Sequence, residues 1–293
     1  MKFLVTGSAG LIGSQVVTDL VQQNHTVYSC YHNTKPLQGI PTPLDLSDEI
    51  QIIQTLQEII PDRIIHLAAM TGVDLCETEK ELATIINTKA TEILARQAVK
   101  LNAFFLYVST DYVFDGINGM KKEYDITNPL GFYGKSKLGG ELVLNKLASN
   151  WCIARTSTPF GIHSTKKTFP LWVKENLEAK KEIPVLIDQF TSPTYVPNLS
   201  KMLIEITTRQ ITGILHVSGA TRISRHALAE LVADKLHLDK NFLIPTKIDT
   251  MNWKAQRPKD SSLNTSLASE NLNEQPQKIE KSLELFINEL NSN

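Results

Sequence analysis

The feature that most constrains this chain of 293 residues is the segment Gly7-Ser8-Ala9-Gly10-Leu11-Ile12-Gly13. It follows a short apolar run, Lys2 to Thr6, and opens a helical pattern carried by Leu11, Ile12, Val16, Val17, Leu20 and Val21. A strand that enters a helix through a glycine turn begins a parallel α/β unit. The glycines permit a tight turn and close backbone approach, and the helix N-terminus offers N–H groups and a positive dipole end to a diphosphate. The spacing is G-x-x-G-x-x-G instead of G-x-G-x-x-G, with the same physics.

Alternation continues downstream. His25 to Tyr31 reads as a second strand, followed by a loop containing Pro and Gly that runs through Pro43. Ser47 and Asp48 are placed to cap a helix over Ile50 to Ile60, which Pro61 closes. Arg63 to Ala68 and Ala103 to Val108 are compact apolar runs, separated by a long helical pattern from about Lys80 to Lys100. Strands that alternate with helices pair in parallel, because the helix supplies the crossover that a parallel partner requires. A sheet covered on both faces also explains runs such as Ile64-Ile65-His66-Leu67, which do not alternate. From about Phe160 the rhythm changes and prolines recur at 170, 184, 193 and 197. The expected fold is α/β: a Rossmann-type doubly wound parallel sheet over residues 1–159 and a smaller C-terminal α/β substrate lobe over 160–293. Some later elements return to the sheet, and one amphipathic helix closes the chain between Pro276 and Leu290.

Hydrophobic residues make up 42% of the chain, enough for a sizeable core and too many for wholesale disorder. Lys and Arg number 30 against 31 Asp and Glu, so no bulk charge draws the chain to nucleic acid or anionic membrane. Cys30, Cys76 and Cys152 are sparse, odd in number and without metal-ligand spacing, which points to a reducing compartment and no bound metal. The first glycine comes too early for a signal-peptide core, and no apolar stretch approaches the ~18 residues that span a bilayer. The expected setting is cytoplasmic, with no nucleic-acid or membrane partner; a homodimer is left open.

Tyr133-Gly134-Lys135-Ser136-Lys137 begins a helical segment that reaches Leu147. Tyr133 and Lys137, four residues apart, share a helix face and can point into one site. A phenol with a reference pKa of ~10 is a poor acid–base group at neutral pH, and a neighbouring ammonium brings it closer to range. Ser109-Thr110-Asp111 ends the run Phe104 to Val108, at the carboxyl end of an expected parallel strand, where open α/β sheets build their sites. A hydroxyl at Thr110 can donate to a substrate carbonyl while Tyr133 delivers the proton. For the cofactor, the second strand ends Ser29-Cys30-Tyr31-His32-Asn33 with no carboxylate to hold a ribose 2′-hydroxyl, and Lys35 follows. That favours NADP(H), with NAD(H) as the alternative. Asp45-Leu46, further on, is placed to face an adenine, with a plain helix-leading Asp as its other reading.

At these residues the chain resembles the extended short-chain dehydrogenase/reductases and, more narrowly, the dTDP-4-dehydrorhamnose reductase family. The matching stretches are His66-Leu67-Ala68-Ala69 with Thr71, Val73-Asp74 and Cys76-Glu77; Ser109 through Gly116; and Pro129-Leu130 with Tyr133 through Lys137 and Gly140-Glu141. Arg155-Thr156-Ser157, Asp188-Gln189 with Ser192-Pro193-Thr194, and Arg257-Pro258 with Ser261 and Leu263 extend the likeness over nearly the whole chain.

The resemblance implies reduction, by a nicotinamide hydride, of the 4-keto group of dTDP-6-deoxy-L-lyxo-4-hexulose to dTDP-L-rhamnose. It implies that Thr110 polarises the carbonyl, Tyr133 protonates the alkoxide, and Lys137 holds the nicotinamide ribose. It further implies that Gly7, Ala9, Gly10, Leu11, Ile12, Gly13, Tyr31, His32, Asn33, Asp45, Leu46, Ala68, Ala69, Thr71 and Asn87 serve the cofactor. Val73, Asp111, Thr158 and Arg257 serve the nucleotide sugar, with Arg257 the candidate for a phosphate or sugar contact and an interlobe salt bridge as its other reading. Two positions depart from the family pattern: Thr158 replaces a tryptophan that packs on the sugar, and Thr191 replaces a glycine. The alternatives are a nucleotide-sugar epimerase or dehydratase, and a partner-binding protein like the regulatory β subunit of methionine adenosyltransferase, which shares much of the Ser109 to Gly116 segment.

Overall fold

A computed structural model describes residues 1–147 and 150–292. The first half of the chain runs β1 (Lys2–Thr6), α1 (Leu11–Gln22), β2 (Thr26–Tyr31), β3 (Ile40–Pro43), α2 (Glu49–Ile59), β4 (Arg63–His66), α3 (Val73–Thr78) and α4 (Lys80–Thr84). It continues through α5 (Ala90–Lys100), β5 (Phe104–Thr110), α6 (Phe132–Leu144) and β6 (Trp151–Thr156). Then come β7 (Pro159–Phe160), α7 (Phe169–Glu178), β8 (Ile183–Leu186), β9 (Phe190–Thr191), β10 (Thr194–Tyr195), α8 (Val196–Arg209) and β11 (Gly213–His216). The last elements are β12 (Ile223–Ser224), α9 (Arg225–Leu236), β13 (Leu243–Thr246), α10 (Ser266–Asn271) and α11 (Ile279–Ser292).

The central sheet has seven strands in the order β11-β6-β5-β4-β1-β2-β3, and every neighbouring pair is parallel. The chain leaves β1 toward β2 and β3, then crosses back to β4, β5 and β6. The order therefore reverses between β1 and β4, and a crevice opens there at the carboxyl ends of the strands. Phe3, Leu4 and Val5 in β1 and every residue of β5 are buried, as strands covered on both faces must be.

Two apolar layers sandwich this sheet. On one face Val16 and Leu20 of α1 pack with Leu199, Met202 and Leu203 of α8; on the other, Ile52 and Leu56 of α2 pack with Leu94 of α5 and Leu144 of α6. Full burial of each such side chain contributes about 1.5–3 kcal/mol before chain entropy is counted. A third cluster, with Val173, Leu228, Val232, Leu283 and Phe286, forms the core of the second lobe. Its strands form three small pairs, β7 with β10, β8 with β13 and β9 with β12.

The prolines after residue 160 have distinct local reasons. Pro170 and Pro197 sit in the first turns of α7 and α8, where the missing N–H is not needed. Ile40 to Pro43, expected as loop, is instead the edge strand β3, paired with β2. Pro41 and Pro43 alternate, so both face the open side of the sheet, where no ladder bond is lost. The expected helix from Lys80 to Lys100 is interrupted by a π-helical turn over Ile85–Lys89. Asp48 caps α2 as anticipated, accepting from the Gln51 N–H at 3.0 Å. Among the described residues no helix is long and apolar enough to cross a membrane.

Candidate active site

The glycine turn sits at the strand-order reversal. Gly7 has φ +67°, and a Cβ there would lie 2.8 Å from the Ala68 backbone nitrogen at the end of β4. A Cβ on Gly13 would lie 2.1 Å from the Gly7 carbonyl oxygen. Both positions therefore exclude any side chain, and α1 is drawn close against the turn. No side chain caps α1; the Gly10 N–H donates to the Gly7 carbonyl (3.0 Å), and the Ser14 N–H is already intrahelical. The N–H groups of the first turn are thus left for an anion, and they carry the helix dipole with them. Glycine cradle and open helix end fit the diphosphate of a dinucleotide.

This turn forms one wall of a cleft of about 680 Å³. The walls bring together most of the residues picked out for the cofactor: Gly7, Ala9, Gly10, Leu11, Ile12 and Gly13; Tyr31, His32 and Asn33; and Ala68, Ala69 and Thr71. Tyr133 and Thr158 face the same space. Lys35 lines a neighbouring hollow of about 560 Å³ with Ser8, Thr34 and His163. Asp45 reaches His32 at 3.7 Å, and the Ser47 N–H and hydroxyl donate to its carboxylate, holding it below the ordinary range. Leu46 is turned into the core beside Leu44 and Ile52.

Asn87 lies in the π-helical turn and is fully buried. Its amide oxygen accepts from the Met70 N–H (2.8 Å), and its amide nitrogen donates to the Met70 carbonyl (3.0 Å) and the Ser136 hydroxyl (2.9 Å). With both ends used, this side chain clamps the loop after β4 to α6. It thereby fixes the Met70 backbone, between Ala69 and Thr71 of the cleft wall.

Thr110 ends β5 and Tyr133 begins α6. Burial raises the Tyr133 phenol well above its ordinary value, while a hydrogen bond with the Thr110 hydroxyl pulls the other way. The expected lowering by Lys137 is absent from this balance. The Lys137 ammonium instead donates to the Val108 carbonyl (2.9 Å) and lies 4.1 Å from the Tyr107 ring centroid. Burial brings Lys137 down to about 7, against the opposing pull of Glu141. Desolvation therefore sets both groups: a phenol that keeps its proton, and an ammonium poised to lose one.

Beneath them is a buried charged network. Arg155 of β6 grips Glu141 of α6, with Nη2 to Oε2 at 2.6 Å and Nε to Oε1 at 3.0 Å, and the Ser109 hydroxyl donates to Glu141 at 2.5 Å. Asp111 is also buried. It accepts from Thr110 (3.0 Å), Ser157 (2.7 Å) and Ser261 (2.6 Å), yet burial still raises its carboxyl. This tie joins the end of β5 to the second lobe.

Of the positions expected to meet the sugar, Val73 opens α3 and is half-buried. Thr158 has φ +42°, a left-handed backbone that costs a threonine stability and that clusters at functional sites. Arg257 is engaged in a bidentate pair with Asp74, at 2.7 and 2.9 Å, and stacks 4.3 Å from the Trp253 ring centroid. That is the interlobe salt bridge. Sequence reasoning missed the cleft wall supplied by the second lobe: Lys166, Lys167, Thr168, Phe169 and Arg225. Thr168 and Phe169 stand at the start of α7, Arg225 follows the N-cap Ser224, and no motif marks any of them.

The chain matches the family described as RmlD substrate binding domain over residues 1–292. It is 30% identical over 297 residues to the dTDP-4-dehydrorhamnose reductase of Aggregatibacter actinomycetemcomitans, covering 96% of this chain and 97% of that one. It is 30% identical over 252 residues to the methionine adenosyltransferase 2 subunit beta of Xenopus laevis, covering 83% of this chain and 75% of the relative. The crystal structure of dTDP-4-dehydrorhamnose reductase from Bacillus anthracis in complex with NADP superposes with a TM-score of 0.89 at 30% identity, covering 98% of this chain and 99% of that one.

Proposed function

The chain belongs to the RmlD substrate-binding domain family, and from that premise we propose that it reduces the 4-keto group of a nucleotide-linked deoxysugar with NADPH, as a dTDP-4-dehydrorhamnose reductase. The observation that carries this reading is the union of an open glycine turn and the Thr110–Tyr133 pair beside one cleft. The cofactor, when bound, supplies a hydride to the carbonyl carbon. The glycine turn and the α1 N-terminus hold its diphosphate, and Ala68, Ala69 and Thr71 line its trough. Thr110 hydrogen-bonds the substrate carbonyl oxygen, and Tyr133 Oη delivers the proton that completes the alcohol. Because burial keeps this phenol protonated, Tyr133 starts as an acid, the state a reduction needs. Lys137 makes no contact with the phenol in the free protein, where the Val108 carbonyl holds its ammonium; its proposed part is to supply positive charge one helix turn along α6 when the phenolate forms, until solvent restores the proton.

Two alternatives fare less well. A dehydratase needs a free acid beside the threonine, and both Asp111 oxygens are held by hydroxyl donors. A purely partner-binding protein has no use for a Tyr133 that lines a dinucleotide cleft with the Thr110 hydroxyl bonded behind it. We extend the proposal to a reducing, cytoplasmic setting, which the three buried, unpaired cysteines support.

Incubation with the dTDP-4-keto sugar and either reduced cofactor tests the reading; loss of reduced-nicotinamide absorbance is the expected result. Bound cofactor without oxidation of either form would sink it. In the same assay NADPH should bind several-fold more tightly than NADH, since one exposed lysine at position 35 is worth about 1 kcal/mol. That advantage should shrink as salt rises. Equal affinities at low salt would show that the loop after β2 does not read the 2′-phosphate.

A pH profile offers a separate check. Lys137 carries its charge only below about 7 in the free protein, so kcat/KM should fall as pH rises through that value. Tyr133, raised by burial, does not titrate there. An anionic cofactor favours the ammonium, so the corresponding limb of kcat should lie at higher pH. A kcat/KM profile that stays flat well into the alkaline range would remove Lys137 from the mechanism.

A further inference from the structure

Arg225 differs from the other arginines of the chain in what it holds. Arg96, Arg155, Arg209, Arg222 and Arg257 each grip a carboxylate, at 2.5 to 2.7 Å. Arg63 donates to the Thr207 and Asp62 carbonyls at 3.1 and 2.8 Å. Among the described residues the Arg225 guanidinium makes two long hydrogen bonds, to Gln189 Oε1 and Thr158 Oγ1, both at 3.4 Å, and lies 5.0 Å from the Phe169 ring centroid. Among the described residues it has no carboxylate within ion-pair distance. Asp111 feels its charge, but the oxygens of Asp111 are already taken by three hydroxyls. Burial disfavours the guanidinium, so the fold carries a desolvated cation without a matched partner.

The position of this cation is well defined. Its backbone N–H donates to the Gln189 carbonyl at 3.0 Å, and the preceding strand β12 pairs with β9. The stacked Phe169 holds the plane of the fork, and the fork faces the cleft that Tyr133 and the glycine turn also line. A planar fork of donors, fixed and unpaired, matches a doubly bonded oxyanion. Lys166 and Lys167 on the same wall add positive charge. A diphosphate is the ligand chemistry such a wall recognises, and the reductase reading brings two diphosphates to this cleft. That of the cofactor has the open N-terminus of α1. Arg225 stands on the opposite lobe, against Thr158.

We propose that Arg225 anchors the diphosphate of the nucleotide-linked sugar, its fork taking non-bridging oxygens and thereby setting the sugar in register with Tyr133. This rests on the reductase reading for the identity of the nucleotide. It moves the anion-binding role from Arg257, which is occupied by Asp74, to a residue of the second lobe.

Calorimetric titration of wild type, Arg225→Met and Arg225→Lys with dTDP, thymidine and NADPH tests the proposal. In Arg225→Met the Kd for dTDP should rise about 10–100-fold, the scale of lost charge-assisted hydrogen bonds. Arg225→Lys should fall between, keeping the charge and losing the fork. Thymidine and NADPH should bind as before, and the KM for the keto sugar should rise more than kcat falls. Because the cation has no partner to strand, the melting temperature of Arg225→Met should equal or exceed that of wild type. Unchanged dTDP affinity would overturn the proposal. So would a loss confined to NADPH, which would assign the fork to the cofactor, or a lower melting temperature with all ligands weakened, which would make the residue structural. A wild type that binds dTDP without reducing the keto sugar keeps the anchor and overturns the reductase reading; one that does not bind dTDP overturns both.

Discussion

Replacing Tyr133 with phenylalanine is expected to lower kcat by about 10²–10⁴-fold, the usual contribution of a positioned general acid, with NADPH affinity nearly unchanged. The substitution is well suited to isolate the proton. Phenylalanine keeps the ring that meets Tyr112 edge-on at 5.9 Å between centroids, so the start of α6 has no packing reason to move. What is lost is the hydroxyl that Thr110 contacts. Single-turnover measurements with saturating NADPH separate the chemical step from product release. Near-normal rates in the variant would mean that the proton comes from another group or from water.

The largest expected effect on stability lies beneath the site. Arg155→Met leaves the Glu141 carboxylate, 1% exposed, with the Ser109 hydroxyl as its remaining strong partner. Removing one member of a buried ion pair typically costs about 3–5 kcal/mol, because the other charge stays desolvated and uncompensated. On a domain of this size that corresponds to a fall in Tm on the order of 10 °C. The double variant Arg155→Met/Glu141→Leu should recover much of the loss, since no charge is then stranded. Denaturant unfolding of the two singles and the double measures the coupling. A loss well under 1 kcal/mol in Arg155→Met would show that the pair is hydrated in solution.

What the sequence disclosed about this site follows from distance along the chain. Gly7 to Gly13, with the strand before and the helix after, form one local unit whose residue types state their own geometry. Tyr133 and Lys137 are a helix turn apart, so their shared face follows from periodicity alone. The direction of Lys137 was not legible: its ammonium is fixed by the Val108 carbonyl, 29 residues away, and by the neighbouring Tyr107 ring. Arg257 looked available because its partner Asp74 lies 183 residues earlier. Asn87 suggested a cofactor contact, and its clamp needed the π-helical turn that no residue pattern announces. Arg225 was hidden for the opposite reason, since its significance is a missing partner. The strand β3 was hidden by its own prolines, which read as loop until the open edge of the sheet explains them.

The position of β11 and α8 in the sheet has a consequence for synthesis on the ribosome. One whole face of the nucleotide-binding half packs α1 against Leu199, Met202, Leu203 and Ile206, and the sheet edge beyond β6 is closed by Leu215 and Val217. When β6 ends at Thr156, 60 residues remain to be made before β11 ends at His216 and that cover is complete. At roughly 5–20 residues per second the nascent chain carries a bare apolar face and an unpaired β6 edge for several seconds. The dinucleotide pocket is complete in sequence long before it is complete in structure. A slowly translated or truncated messenger would therefore produce a chain with the whole glycine turn and Tyr133 in place whose unpaired β6 edge is still open to aggregation.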